Sequence, residues 1–222
     1  MTGPDGTADP GRPGRPVIRR GTELDAGRAG ELHAGQISGG FLSFLGPRFL
    51  ARLYRRIVRS PSSFLLVADV QGRVAGFVAG SGDVRGLYRA FILRDGLSAA
   101  WSAAPRILQG WRRVLETLRH GAPDDSDGDG RGRGIELLAI AVDPSHQGRG
   151  IGGDLVDAFL ERVREDGAGC AYVVVEASNA TAVGLYRRAG FMPTSEFELH
   201  AGTRSLLMQW DDGLPTDDGG VG

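Results

Sequence analysis

A chain of 222 residues, 41% of them hydrophobic, carries one ordinary domain's worth of core, which excludes a miniprotein held together by metals or disulfides. Acidic residues number 27 and basic residues 26, a formal net charge of -1, so no global excess of positive charge draws the chain to nucleic acid or anionic lipid. A single cysteine, Cys170, excludes an internal disulfide and a multi-cysteine zinc site, and no run approaches the ~18 apolar residues of a membrane span, so a soluble cytoplasmic protein with neither nucleic acid nor membrane as partner is expected.

Residues 1–15 are polar and rich in Pro and Gly and are expected to form a disordered arm. A short strand is predicted from Pro16 to Arg20. A helix follows from Thr22, a candidate N-cap, to Ile37, with Leu24, Ala29, Leu32 and Ile37 at helical spacing. From Pro47 to Arg59, Phe49, Leu50, Leu53, Ile57 and Val58 share one face while Arg48, Arg52, Arg55, Arg56 and Arg59 fall off it, which predicts an amphipathic helix. Phe64 to Val70 and Val74 to Gly80, separated by Gln71-Gly72-Arg73, read as a hairpin.

Val84 to Arg119 is expected to be helical, with aromatic residues at Tyr88, Phe91, Trp101 and Trp111 and a start or kink at Pro105. Gly121 to Gly134, rich in Asp and Gly, is expected to be an exposed loop. Beyond it the pattern predicts a strand from Ile135 to Val142, a helix from Gly150 to Asp166, a strand from Ala171 to Ala177 and a helix from Asn179 to Ala189. Two strands, Phe191 to His200 and Thr203 to Trp210, flank Ala201-Gly202, and an acidic Gly-rich tail ends the chain.

The informative stretch runs from Glu136 to Gly153, where an apolar strand enters a Gly-rich loop that becomes a helix. Backbone N–H groups at a helix start have no intrahelical acceptor and carry the positive end of the dipole, so such an entry is a phosphate cradle in principle. Gly148-x-Gly150-x-x-Gly153 also matches a dinucleotide fingerprint, with Glu176 at the position of a ribose-binding acid. The context argues against that reading. Asp143 to Gln147 intervene between strand and glycines, further parallel units do not follow, and 36 glycines make accidental matches common.

Gln147-Gly148-Arg149-Gly150-Ile151-Gly152 resembles the acyl-CoA signature of the GNAT superfamily of acetyl-CoA-dependent N-acetyltransferases, and Val142-Asp143-Pro144 ahead of it is similar to the same family. A second match follows in order: Asn179-Ala180-Thr181-Ala182 and then Tyr186-Arg187-Arg188-Ala189-Gly190-Phe191. The resemblance is strong over 135–211 and rests on pattern alone at the hairpin. It implies an α/β (α+β) fold with a central mixed, mostly antiparallel sheet, a splayed parallel strand pair, flanking helices and a helical insertion. It also implies acetyl-CoA as co-substrate, held by Ile140, Ala141, Val142, Gln147, Gly148, Arg149, Gly150, Ile151, Gly152, Gly153, Asn179 and Tyr186, with no metal. By position it assigns the thioester-polarising N–H to Ile140.

Direct attack by an amine requires a proton acceptor and a group that protonates the departing thiolate. The resemblance offers Glu136 as the base and Tyr186 as the acid. A solvated strand-end carboxylate and a Tyr packed between helix and sheet explain the same residues without chemistry. N-capping accounts for Asn179, and a left-handed C-cap for Gly190. His146 is expected to be incidental and Cys170 to pack as a small hydrophobe. His33, His120 and His200 are scattered and give no Ser-His-Asp or Cys-His arrangement.

The expected activity is acetyl transfer to a primary amine of a small molecule, such as an amino sugar or other metabolite. A protein or peptide acceptor and an inactive acyl-CoA-binding domain are the alternatives. The domain is expected over 16–211, with a tail at 212–222 and an insertion over 83–134 where the family has a short connection. That insertion is expected to form a lid whose Arg85, Arg89 or Arg94 meet anionic groups, or a dimer surface around Trp101 and Trp111, leaving monomer and homodimer both open.

Overall fold

The computed structural model describes residues 16–37, 41–94, 134–200 and 203–213. The arm at 1–15, residues 95–133 with Trp101, Trp111 and most of the acidic loop, Ala201-Gly202 and the end of the tail lie outside the described residues.

The first half comprises β1 (Val17–Arg20), α1 (Ala26–Gln36), α2 (Phe41–Leu45), α3 (Pro47–Arg59), β2 (Ser63–Val70) and β3 (Arg73–Ser81), followed by α4 over 84–94. α1 starts three residues later than Thr22 as its N-cap would place it. The Asp25 carboxylate accepts the Thr22 N–H and hydroxyl, each at 2.8 Å, and holds the Arg19 guanidinium at 2.9 Å, so a side-chain turn occupies the stretch ahead of the helix. α2 is a short helix that the apolar pattern leaves unannounced. α3 matches its prediction, with Pro47 in the first turn and Leu50, Leu53, Tyr54 and Ile57 buried, each removal from water stabilising by about 1.5–3 kcal/mol. Gln71-Gly72 alone closes the hairpin, since Arg73 already pairs with Val70.

The second half comprises β4 (Ile135–Val142), a 3-10 turn at Pro144–His146, α5 (Ile151–Glu165), β5 (Cys170–Glu176), α6 (Ala180–Arg188), β6 (Met192–His200) and β7 (Thr203–Asp211). Asn179 caps α6, its Oδ1 accepting the Ala182 N–H at 3.1 Å, and Gly190 leaves the helix with φ of +93°.

Among the described residues seven strands form one sheet in the order β1-β2-β3-β4-β5-β7-β6. β4 and β5 are parallel, joined by α5, and every other neighbouring pair is antiparallel. One face carries α5 and α6 over a core of Phe64, Val78, Leu155, Phe159, Tyr186, Phe191 and Met208. The other carries α1, α3 and α4 over Leu50, Tyr54, Leu65, Phe77, Leu87 and Phe91.

β4 changes phase as it crosses the sheet. Ala79 pairs with Ala139 but Gly80 pairs with Leu137, so Leu138 is an extra residue and forms a bulge. Ile135 and Leu137 point into the α5 core, whereas Ala139 and Ala141 point into the α1/α3 core, with Leu138 packed against the latter. The alternation places Glu136 on the α1/α3 face as well.

Candidate active site

β4 and β5 are paired only at their beginnings, through Ile135 with Ala171 and Glu136 with Tyr172, although β4 continues to Val142 and β5 to Glu176. Past that fork each strand keeps one neighbour, β3 for β4 and β7 for β5. The edges facing each other across the gap therefore carry backbone N–H and C=O groups that no strand satisfies, in a place walled by apolar side chains. Ile140, Ala141 and Val142 all lie on the unpaired length of β4.

At the end of β4 the loop is built to aim N–H groups outward. Asp143 accepts the Ser145 N–H at 2.9 Å and forms an ion pair with Arg28, whose surroundings hold its carboxyl below the usual range, the Ser145 hydrogen bonds contributing most. Gln147 folds back, its Nε2 donating to the Val142 carbonyl at 3.1 Å and to Gln36 Oε1 at 3.2 Å. Gly148 and Gly150 take φ of +74° and +85°, left-handed values that a side chain resists, and a Cβ at either would meet open space. Gly150 caps α5, so the free N–H groups of its first turn, from Ile151 to Gly153, face that space along with the dipole. Arg149 is exposed beside them. Open room, missing side chains and unpaired donors together suit a diphosphate.

Glu136 and Tyr186 lie on opposite sides of the sheet. Tyr186 is 4% exposed, belongs to the α5/α6 core and packs edge-on against Phe191 with ring centroids 5.7 Å apart. Burial pushes its hydroxyl well above the ordinary tyrosine range, so it stays a proton donor at any physiological pH. Glu136 stands at the fork, half-buried, and its charge reaches Tyr88 on α4. The carboxylate thus stands on the α1/α3 side of the sheet and the phenol on the α5/α6 side.

Sequence patterning missed the residues on the Glu136 side. His33 of α1, Leu42 of α2, Leu53, Tyr54 and Ile57 of α3, Leu87 and Tyr88 of α4, and Leu138 and Ala139 of β4 enclose a cavity of about 20 Å³ against the bulge. His33 Nδ1 and the Tyr54 hydroxyl share a hydrogen bond of 2.6 Å. Burial lowers His33 to about 4, and burial with the Glu136 charge pushes Tyr88 up to about 12, so both are neutral. Burial in three dimensions, which the sequence does not register, sets His33 apart from the partly exposed His146; Tyr88 carried the weak signal of a Tyr beside Leu87 in an apolar helix. Arg85, Arg89 and Arg94 are exposed and do not line this cavity. A second cleft, about 440 Å³, is lined by Arg28, Arg73, Val74, Ala75, Asp143, Ser145 and His146 at the outer end of β4. His146 lies there rather than at the fork, bonded to the Ser145 hydroxyl at 2.9 Å, and Cys170 donates to the Tyr172 hydroxyl at 3.2 Å. Among the described residues no group of three His, Cys, Asp or Glu is placed to hold a metal, and no helix is long and apolar enough to cross a membrane.

The model of the acetyltransferase (GNAT) family matches residues 39–191. A mycothiol acetyltransferase of Nocardia farcinica is 41% identical over 58 residues, 26% of this chain and 19% of the relative. A ribosomal protein bS18 alanine N-acetyltransferase of Escherichia coli is 38% identical over 55 residues, 25% of this chain and 37% of the relative. The matching segments thus span well under half of either relative's length. The yncA protein of Salmonella typhimurium, solved with acetyl-CoA, superposes with a TM-score of 0.60 at 16% identity, covering 92% of this chain and 99% of that one, which speaks for the fold. With a family match across more than half of its length, this chain belongs to the GNAT acetyltransferase family.

Proposed function

We propose that this protein transfers an acetyl group from acetyl-CoA to the primary amine of a small molecule by direct attack. The observation that carries the proposal is the fork, where β4 and β5 part after two residue pairs and leave unsatisfied backbone groups beside a Gly-rich helix entry. In this reading the segment Ile140, Ala141 and Val142 holds the pantetheine arm through the backbone groups of Ile140 and Val142 that face the gap, those of Ala141 turning toward β3. The N–H groups and open space of Gln147, Gly148, Arg149, Gly150, Ile151, Gly152 and Gly153 hold the pyrophosphate, with the Arg149 guanidinium near a phosphate.

Acetyl-CoA supplies an activated thioester, and the chain's residues do the rest. The Ile140 N–H bonds the thioester carbonyl oxygen as charge develops there. Glu136 takes the proton of the attacking ammonium, directly or through one water. The nitrogen bonds to the carbonyl carbon, the carbon–sulfur bond breaks, Tyr186 gives its proton to the departing sulfur from the opposite side of the sheet, and the second proton of the acylated nitrogen returns through water to the Tyr186 phenolate. Asn179, at the start of α6, adds a polar contact to the coenzyme beyond its capping bond. α4 forms part of the acceptor wall through Leu87 and Tyr88.

The likeness to a mycothiol acetyltransferase supports a small-molecule acceptor, and the likeness to an alanine N-acetyltransferase favours a protein N-terminus as the second reading. Thiol release from acetyl-CoA, measured with the full chain against a panel of small amines and short peptides, separates them. Release with small amines above peptides is expected. A peptide preference would replace the first reading with the second, and tight acetyl-CoA binding without release for any amine would leave a binding domain in place of an enzyme.

A further inference from the structure

The cavity behind the β4 bulge has a lining unlike that of a site for a charged or sugar-like acceptor. Six of its nine residues are aliphatic, namely Leu42, Leu53, Ile57, Leu87, Leu138 and Ala139, and the other three, His33, Tyr54 and Tyr88, are neutral hydrogen-bonding groups. None carries a formal charge, since burial keeps His33 unprotonated and the two phenols protonated. The His33–Tyr54 hydrogen bond already satisfies one ring nitrogen and one hydroxyl internally. A charged group placed here would lose hydration with no counter-charge among the lining residues.

Size restricts the occupant further. About 20 Å³ is room for little more than one water or one methyl group. The place is also specific. Leu138 and Ala139 are the bulged residues of β4, two and three positions beyond Glu136, on the same face of the sheet as that carboxylate and at the start of the strand's unpaired length. The cavity therefore opens on the face of the sheet where a group held beside Glu136 would stand, with Tyr88 in its wall reached by the Glu136 charge.

We propose that the cavity is the subsite for the substituent on the amine-bearing carbon of the acceptor, and that it selects hydrogen or a single methyl, uncharged, over branched, charged or hydroxyl-rich groups. The proposal rests on the acetyl-transfer reading above and narrows its acceptor. The exposed Arg85, Arg89 and Arg94 have no part in it, and an amino sugar or an anionic substituent is a poor fit.

The test is a series that changes only this substituent: glycinamide, alaninamide, valinamide, leucinamide and isoasparagine, with acetyl-CoA and the full chain, scored as kcat/KM for thiol release. Glycinamide and alaninamide are expected to exceed valinamide and leucinamide by about tenfold or more, and isoasparagine by about a hundredfold. Leu42→Ala, which enlarges the cavity from its half-buried rim, is expected to raise leucinamide relative to alaninamide about tenfold. Ala139→Val, which fills it, is expected to lower alaninamide relative to glycinamide; circular dichroism checks that each variant is folded, and either one suffices. Equal kcat/KM across the series, or a preference for the larger or charged members, overturns the subsite while leaving acetyl transfer intact. Acetyl-CoA binding with no thiol release for any member overturns the transfer reading and the subsite with it.

Discussion

Glu136 and Tyr186 take the roles proposed for them from position alone. Each is an ordinary residue in the sequence, and each stands against a different face of the strand pair, one half-buried near Tyr88 and the other enclosed by Phe191 and the α5 core. That division suits a base for the incoming nitrogen and an acid for the leaving sulfur. Glu136→Gln and Tyr186→Phe are each expected to lower kcat by ~10²- to 10⁴-fold with little change in acetyl-CoA affinity by calorimetry, and the Glu136 variant is expected to lose the acid limb of its pH–rate profile. His33 makes a different prediction. Its folded pKa, about 4, is lower than the 6.5 of the unfolded chain, because burial disfavours the charged ring. The unfolded state therefore binds the extra proton as pH falls, so stability is fully present above 6.5 and drains away toward pH 4, by about 3 kcal/mol in all. Urea unfolding between pH 7 and pH 4 is expected to show this slope in the parent protein and a flatter one in His33→Gln.

Among the elements, β4 and the loop after it do most to make a site. The bulge at Leu138 turns the second half of the strand over, so that a strand beginning with Ile135 and Leu137 in one core ends with Ala139 and Ala141 in the other. The loop then presents Gly150 at the helix start with φ of +85° and open space where a Cβ would stand. Two substitutions separate backbone strain from charge. Gly150→Ala meets no neighbour and costs about 1–2 kcal/mol for its left-handed conformation, and acetyl-CoA binding is expected to survive within a few-fold. Gly150→Glu adds an anion at the positive end of α5, and binding measured by calorimetric titration is expected to disappear while the protein remains folded.

At the scale of the molecule, the long connection between β3 and β4 begins as part of the core. Leu87 and Phe91 of α4 are buried with α1 and α3, and Phe91 meets Phe49 edge-on at 5.3 Å. An excision beginning at residue 84, as the length of the connection invites, would therefore open the α1/α3 layer and remove one wall of the small cavity. Phe91→Ala is expected to cost about 3–5 kcal/mol in urea unfolding, the range for losing a buried aromatic, against near-neutrality for Arg89→Ala on the exposed side of the same helix.

Local patterning determined much of this protein. The period of the apolar residues set α3 and both strands of the hairpin, and the glycines between an apolar strand and a helix marked the loop that enters α5, because those signals are carried by neighbours in the chain. Asn179 as a cap and Gly190 as a helix end were equally local. Three features were decided only by tertiary structure. The start of α1 depends on Arg19 and Thr22 both reaching Asp25, a contest between side-chain and helical hydrogen bonds that spacing does not register. The bulge at Leu138 arises from β4 having to match β3 on one side while leaving β5 on the other, and no residue of β4 announces it. The cavity joins His33, Leu42, Tyr54, Tyr88 and Leu138 from five separate elements, and its neutrality comes from a burial that exists only once those elements have packed.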